Sequence, residues 1–272
     1  MSFIEVNGTA LRYELDGSGI HTMVLIHEMG GSLESWDLVA PRLADGRRVL
    51  RYDTRGAGLS EKLRGDLSLD IMVADLMALL DALKIVGKVA LVGTAVGGAI
   101  ALASAARFPE RIAAVVASSP ATGIAADRRA AVLARIERME RAGLRAVSDA
   151  LDNGYPAELR GDGRRFAAFR ARWLGNDPAS FAAVYRMLVH LDLTDDLARI
   201  ERPVLLIGGA FDATRPAGMV ETLAGRIRHA RYLLLHTGHY AAVQTPEILA
   251  SAVLEFIAHS VPEWSQSLPT QT

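Results

Sequence analysis

The sequence contains no cysteine in its 272 residues. This absence excludes disulfide scaffolds, cysteine nucleophiles, thiolate zinc sites and iron–sulfur clusters, because each of these needs a sulfur atom. Covalent catalysis by this chain would therefore have to use oxygen or nitrogen. Hydrophobic residues make up 50% of the sequence. A chain of this length and hydrophobicity can bury a core in one large domain or two small ones.

An excess of either charge is also missing, since 30 basic residues balance 31 acidic ones and leave a formal net charge of −1. Such a chain has no general attraction for phosphate backbones, so no nucleic-acid partner is expected. The first 17 residues carry Glu5 and Glu14 and lack the basic start and apolar run of a signal peptide. We therefore expect a cytoplasmic protein.

Long hydrophobic runs are scarce. One uncharged stretch, residues 89–106, reaches 18 residues and so approaches the length that crosses a bilayer. Gly93, Gly97 and Gly98 interrupt it, and its pattern changes halfway along. This favours a buried strand followed by a buried helix, so no membrane partner is expected.

Short apolar runs alternate with amphipathic segments along the first half of the chain and again near its end. The first two runs, Phe3–Val6 and Leu11–Leu15, flank Asn7-Gly8 and predict a β-hairpin. Six further runs are typical of strands covered on both faces: Thr22–His27, Arg48–Asp53, Lys88–Gly93, Ile112–Ala117, Val204–Gly208 and Arg231–Leu235. Helical periods lie between them: Leu33–Leu43, Leu69–Leu83, Val96–Phe108 and Pro246–Ala258. The alternation predicts an α/β fold with a doubly wound, mostly parallel sheet of eight strands.

The predicted helix Leu69–Leu83 is strongly amphipathic. Its leucines, with Met72 and Val73, fall on one stripe, whereas Asp70, Asp75 and Asp81 point away from that stripe. We expect these three aspartates to face solvent.

The strand–helix alternation stops at Pro120 and resumes at Pro203. Between these prolines, three segments predict helices and none predicts a strand: Asp127–Asp149, Arg164–Trp173 and Pro178–Leu191. We therefore predict a core of residues 1–121 and 199–272 with a helical cap, residues 122–198, inserted between strands 6 and 7. The polar tail, residues 261–272, is expected to pack loosely.

The predicted cap is locally basic. Residues 128–172 carry 11 arginines and 6 acidic residues. Solvated helix faces account for such an excess. The alternative interpretation is a lid that attracts anionic substrates.

A glycine-rich turn, Gly93-Thr94-Ala95-Val96-Gly97-Gly98, follows the fifth predicted strand and precedes a predicted helix. It resembles the nucleophile elbow of the α/β-hydrolase family, strand–G-x-S-x-G–helix. The central residue of that elbow has a strained positive φ, and its neighbours two positions away must be glycine or nearly so. Gly93 and Gly97 fit this requirement. Position 95, however, is alanine instead of serine.

Two loops resemble other parts of the same family. His27-Glu28-Met29-Gly30-Gly31 is similar to the H-G-x-x-G oxyanion loop, and residues 53–60 are similar to the D-x-R-G-x-G-x-S loop. The resemblance implies an oxyanion hole formed by the backbone N–H groups of Met29 and Val96. His27 would then have a structural role in the loop.

The family's acid and base also have matches in the expected order. Asp212 follows the seventh predicted strand and His239 follows the eighth. The resemblance implies acyl transfer, in which a serine attacks a carbonyl, His239 takes its proton and Asp212 orients His239. Ala95 cannot supply the attacking oxygen, and Thr94, Ser118 and Ser119 are poorly placed to replace it.

Two histories explain Ala95. Either a serine was deliberately replaced to trap a substrate, or the nucleophile was lost naturally. In the second case two further functions stay open. One is a cofactor-independent lyase or oxygenase in which the His239–Asp212 dyad acts as base. The other is a non-catalytic relative that binds a ligand.

Four residues are candidates for substrate binding: Glu28, Trp173, Tyr185 and Met187. Glu28 stands where the family has glycine or serine, and an ionised carboxylate there would oppose a developing oxyanion. We therefore expect its side chain to turn away and pair with Arg55. The alternative is a proton-handling group.

The short cap, the loop Arg51–Gly58 and residues 177–202 are similar to those of 3-oxoadipate enol-lactonases and related ring-cleavage hydrolases. This likeness implies hydrolysis of a carboxylic ester or enol-lactone of a small catabolic intermediate, which could be anionic. The remaining histidines show no metal-ligand spacing. The expected partner is thus a small-molecule substrate without metal or cofactor, bound by a monomer or a homodimer.

Overall fold

A computed structural model describes residues 1–264 of the protein. Its eight strands are β1 (Ser2–Val6), β2 (Thr9–Gly17), β3 (Thr22–Ile26), β4 (Arg48–Tyr52), β5 (Val89–Thr94), β6 (Ile112–Ser118), β7 (Val204–Gly209) and β8 (Ala230–Leu235). Each predicted strand is present with its ends shifted by no more than a few residues. The apolar runs located them because each run contains the residues that the two faces of the sheet bury.

The strands form one sheet in the order β1-β2-β4-β3-β5-β6-β7-β8. β1 pairs antiparallel with β2, and β2 antiparallel with β4. All the other neighbours are parallel. The structure thus confirms the α/β class and the doubly wound, mostly parallel sheet of eight strands. Because β3, β5, β6, β7 and β8 run in one direction, the loops that follow them meet at one edge of the sheet.

Eleven α-helices are found in the described residues: α1 (Ala40–Leu43), α2 (Leu69–Ala82), α3 (Val96–Arg107), α4 (Ala126–Ala142), α5 (Asp149–Gly154), α6 (Gly163–Leu174), α7 (Pro178–His190), α8 (Thr194–Arg199), α9 (Ala217–Ala224), α10 (Ala241–Gln244) and α11 (Pro246–Ser260). Short 3₁₀ helices occupy Leu33–Trp36, Leu144–Val147, Ala157–Leu159 and Pro262–Trp264. None of the helices in residues 1–264 is long and apolar enough to span a membrane.

The sheet has a helical layer on each face. On one face α2, α3, α8 and α9 cover β-strand residues such as Leu91. On the other face α1, α10 and α11 cover residues such as Ala90 and Val92. Successive residues of β5 therefore enter opposite cores, as the two-residue period of a strand requires. The uncharged run of residues 89–106 is β5 followed by α3, which confirms the buried-strand and buried-helix interpretation.

Five helices, α4 to α8, lie between β6 and β7. Most of them share a separate hydrophobic cluster around Leu151, Tyr155, Phe169 and Trp173. The last one, α8, packs instead against α3. The cap boundaries at residues 122 and 198 stay a prediction.

Some local predictions were wrong. The predicted helix Leu33–Leu43 is a 3₁₀ turn and the short α1, with Pro41 in the first turn of α1. Pro41 restricts the residue before it, which disfavours one continuous helix. The predicted helix Asp127–Asp149 ends at Ala142 because Gly143 takes a φ of 73°.

Other elements were not predicted. The short helices α8, α9 and α10 carry too few turns to show a helical period. In the tail, Val261 and Trp264 are buried, which contradicts loose packing for that part. The rest of the predicted loose tail, residues 265–272, lies outside the described residues.

Candidate active site

The turn between β5 and α3 holds Ala95 in an unusual backbone conformation, with φ 51° and ψ −109°. A non-glycine residue with this φ is strained, at a cost on the order of 1–3 kcal/mol. Two hydrogen bonds hold the turn: the Ala95 N–H donates to the Ser118 carbonyl oxygen, and the Ala121 N–H donates to the Ala95 carbonyl oxygen, each at 2.9 Å. The strained conformation is therefore fixed by the neighbouring chain.

The glycines beside Ala95 allow this turn to pack closely. A Cβ at Gly93 would lie 2.2 Å from the Gly97 carbonyl oxygen. A Cβ at Gly97 would lie 2.1 Å from the carbonyl oxygen of Ile26 at the end of β3. Both distances are shorter than any real Cβ contact, and the obstructing atoms are backbone. Positions 93 and 97 therefore require glycine, as the elbow pattern indicates.

The loop after β3 lies beside the elbow. Met29 from this loop and Val96 from the start of α3 line one small cavity of about 20 Å³. The N–H of Val96 belongs to the first turn of α3 and so has no acceptor within the helix. For the Met29 N–H, no acceptor is found among the described residues. Met29 and Val96 thus meet at one cavity, and Ala95, Asp212 and His239 are not among the residues that line it.

His27 holds this loop in place. Its Nδ1–H donates to the Glu28 carbonyl oxygen at 2.7 Å, and its Nε2 accepts from the Thr54 N–H at 3.0 Å. Asn176, at the end of the loop after α6, also donates from Nδ2 to the Gly30 carbonyl oxygen at 3.0 Å. The cap thus helps to position the loop. From the sequence, Asn176 was predictable only as part of a turn.

The loops after β7 and β8 bring Asp212 and His239 together. The Nδ1–H of His239 donates to Oδ2 of Asp212 at 2.8 Å. The other carboxylate oxygen accepts from the backbone N–H groups of Thr214 and Arg215 at 2.9 and 2.8 Å. Because Nδ1 carries the proton, Nε2 of neutral His239 is free to accept one.

Both side chains of the pair are almost fully buried. Burial alone would raise the pKa of Asp212. The charge of His239, its hydrogen bond and the backbone N–H of Arg215 outweigh burial and lower this pKa below its ordinary value. Asp212 therefore stays ionised and can stabilise a protonated His239.

Contacts from the cap also fix His239. Its backbone N–H donates to the carbonyl oxygen of Gly154 at 3.1 Å, and Gln244 Nε2 donates to the same oxygen at 3.0 Å. The ring of Tyr240 stands edge-on to the His239 ring, with centroids 5.2 Å apart. Burial raises the pKa of Tyr240 well above its ordinary value, so this phenol stays neutral.

The predicted pairing of Glu28 with Arg55 is wrong. Both carboxylate oxygens of Asp75 accept from Arg55, at 2.8 and 2.6 Å. Asp75 is consequently buried, and the prediction that it faces solvent is also wrong. The Glu28 carboxylate stays against Gly31 of the same loop, and its Oε1 accepts from the Ser35 hydroxyl at 2.7 Å. Its buried Oε2 has no partner among the described residues.

The structure separates the candidate substrate-binding residues. Glu28 lines the small cavity beside Met29. Trp173 packs beside Gly30, where a Cβ would meet its indole at 2.5 Å. Tyr185 stacks on Phe181, with ring centroids 5.6 Å apart. Met187 lines a different and larger cleft of about 540 Å³, together with residues such as His190. Their part in binding substrate stays a prediction.

Sequence reasoning missed one half-buried residue near the pair, Arg215. Its Nη1 donates to the Thr122 hydroxyl at 3.2 Å. In the sequence, only the position three residues after Asp212 pointed to Arg215. The direction of a long side chain cannot be predicted from that position. As for metals, residues 1–264 contain no group of three or more His, Asp or Glu side chains arranged to hold an ion.

The comparison with known proteins agrees with this geometry. Residues 21–246 match the model of the family described as alpha/beta hydrolase fold. The chain is 27% identical over 260 residues to pyrrolizixenacetamide deacetylase of Xenorhabdus hominickii, with 91% of this chain and 94% of that protein covered. It is also 27% identical over 247 residues to 3-oxoadipate enol-lactonase 2 of Acinetobacter baylyi, with 90% and 91% covered.

A solved structure is similar over nearly the whole chain. It is the enol-lactonase from Burkholderia xenovorans LB400, with a TM-score of 0.89 and 28% sequence identity. The match covers 94% of this chain and all of that one. These findings confirm the resemblance drawn from the elbow and loop motifs, and the chain belongs to the alpha/beta hydrolase fold family.

Proposed function

We propose that this site is built to hydrolyse a carboxylic ester or enol-lactone by acyl transfer to a serine at position 95. With alanine there, the chain binds the substrate and does not form the acyl-enzyme. One observation carries the proposal. Ala95 keeps the strained φ of 51° and the glycine contacts of a nucleophile elbow, although an alanine needs neither.

The proposed reaction passes through an acyl-enzyme. The serine Oγ attacks the carbonyl carbon while His239 Nε2 takes its proton, and Asp212 stabilises the resulting imidazolium. The carbonyl oxygen becomes an oxyanion that accepts hydrogen bonds from the Met29 and Val96 N–H groups. His239 then protonates the departing alkoxide or enolate as its bond to carbon breaks. Water, deprotonated by His239, finally attacks the acyl group and releases the acid.

The relatives support a carbonyl substrate with an oxygen or nitrogen leaving group. Two of them are named enol-lactonases and the third a deacetylase.

The decisive experiment is Ala95→Ser. Hydrolysis of a neutral aryl ester and of an unsubstituted enol-lactone is followed spectroscopically. We expect kcat to rise at least about 10³-fold over the original chain, since a complete triad typically contributes more than this. Ala95→Gly is the matched control, because it changes the same position and adds no hydroxyl. A folded Ala95→Ser protein that is inert towards both substrates would contradict the proposal.

A second candidate needs only the His239–Asp212 pair, with His239 acting as base without any nucleophile at position 95. That function predicts turnover by the chain with Ala95 that disappears in His239→Ala. The two candidates are separated by one result: under the first, His239→Ala matters only after Ala95→Ser has been made.

A further inference from the structure

The arginines near the carboxyl edge of the sheet differ in whether an acidic side chain neutralises them. Arg12 pairs with Glu34 at 2.6 Å, and Arg55 pairs with Asp75 at 2.6 Å. Arg215 lies just after Asp212, and within residues 1–264 no carboxylate oxygen comes within 4.0 Å of its guanidinium nitrogens. Its side-chain hydrogen bond goes to a neutral group, the Thr122 hydroxyl.

The carboxylate of Asp212 is close but already occupied. Its two oxygens accept from Thr214, from the backbone of Arg215 and from His239. It attracts the Arg215 guanidinium without pairing with it. Burial and the nearby charge of Arg128, in the first turn of α4, together outweigh this attraction and lower the pKa of Arg215. A half-buried guanidinium without a carboxylate partner keeps an uncompensated charge, and an anion that binds beside it would neutralise that charge.

Two hydrogen bonds connect the Arg215 guanidinium to the turn at Ala95. Thr122, which holds it, follows Ala121, and the Ala121 N–H donates to the Ala95 carbonyl oxygen at 2.9 Å. Arg215 therefore lies between the Asp212 loop and the first residues of the cap, next to the elbow. Arg128, in the first turn of α4, is near enough for its charge to act on Arg215.

We infer that Arg215, assisted by Arg128, binds a carboxylate of the substrate, so the ester or enol-lactone carries a second, free acid group. The inference rests on the proposed function for the bond that is cleaved and adds the charge of the substrate. A guanidinium suits this task because its planar N–H groups match two carboxylate oxygens. Thr122 fixes its orientation.

Binding to the chain with Ala95 tests the inference without any turnover. Monomethyl succinate, a monoanion, and dimethyl succinate, its neutral diester, are compared by titration calorimetry at neutral pH and low ionic strength. We expect the monoanion to bind at least about tenfold more tightly, which corresponds to about 1.4 kcal/mol. Arg215→Met is expected to abolish this preference, and Arg215→Lys to restore part of it.

Two further variants keep the test decisive if Arg215→Met does not fold. Arg128 is exposed, so Arg128→Met should fold, and it is expected to reduce the preference about two- to threefold. Arg228→Met removes an equal charge from an exposed site before β8 and is expected to change nothing. Equal affinity for the two esters, or equal losses in Arg128→Met and Arg228→Met, would overturn the inference.

Inorganic phosphate distinguishes a substrate subsite from a general anion site. It is expected to compete with monomethyl succinate only weakly, because it lacks the ester group that reaches the elbow. Competition as strong as that of the ester itself would overturn the substrate assignment. Hydrolysis of neutral esters by Ala95→Ser without any charge preference would refute this inference and leave the proposed function intact.

Discussion

The carboxyl edge of the sheet is built in two different ways on its two sides. After β3 and β5 this part of the site consists of main-chain features. These are the φ of Ala95, two glycines in close contact, and the N–H groups of Met29 and Val96. After β7 and β8 the chain supplies side chains, with His239 and Asp212 joined at 2.8 Å. The backbone side carries no hydroxyl at position 95, whereas on the side-chain side His239 and Asp212 are both present.

Different contacts hold the two sides in place. The conformation of Ala95 does not depend on its own side chain, because the Ser118 carbonyl, the Ala121 N–H and the end of β3 fix it. A serine could therefore be lost from position 95 without change in the turn. The pair depends on the side chains themselves, since their charges and hydrogen bonds lower the pKa of Asp212.

The largest effect is expected when the His239–Asp212 pair is disrupted. In the Ala95→Ser background, Asp212→Asn should lower kcat about 10⁴-fold, because an amide favours the wrong histidine tautomer and cannot stabilise the imidazolium. Steady-state hydrolysis of an aryl ester measures this. Asp66→Asn, which changes an exposed aspartate, serves as control and should leave kcat as it is. If Asp212→Asn keeps kcat within tenfold, the pair does not take part in the reaction.

The second-largest effect is expected when the turn around Ala95 is disrupted. Gly97→Ala should lower the free energy of unfolding by about 3 kcal/mol or more, since its Cβ would meet the Ile26 carbonyl at 2.1 Å. Urea denaturation followed by circular dichroism measures the change. The matched control is Gly87→Ala, where an added Cβ meets nothing within 4 Å, and it should stay within about 0.5 kcal/mol. Equal stability of the two variants would show that the elbow can relax.

The smallest effect sharpens the comparison by testing Glu28, a buried carboxyl group in the loop after β3. Glu28→Gln should raise the free energy of unfolding at neutral pH by about 1 kcal/mol, because a neutral amide is cheaper to bury than a carboxylate oxygen without a partner. The melting temperature measures this against Glu137→Gln, an exposed control on α4. A clear loss of stability in Glu28→Gln would contradict this expectation.

Sequence reasoning reached the elements of the sheet more easily than their side-chain contacts. The strands were predictable because a buried strand needs an unbroken apolar run, as in β5 and β7. Asp75 was misplaced because the helical period put it among solvent-facing positions, while Arg55 and Asn7 arrive from distant parts of the chain to bind it. Ser35, the partner of Glu28, is near in sequence, but the path of the loop between them, which no helical or strand period describes, brings the two side chains together.

The sequence by itself determined the fold and the order of its motifs, because apolar periodicity and the spacing of glycines are local properties of the chain. It also determined that Ala95 brings no hydroxyl to the elbow. Only the tertiary structure decided which charges are neutralised. Arg55 meets Asp75, whereas Arg215 meets no carboxylate in the described residues, and this difference arises where separate loops converge. Charge pairing depends on distances of a few ångströms between remote residues, and no local pattern encodes them.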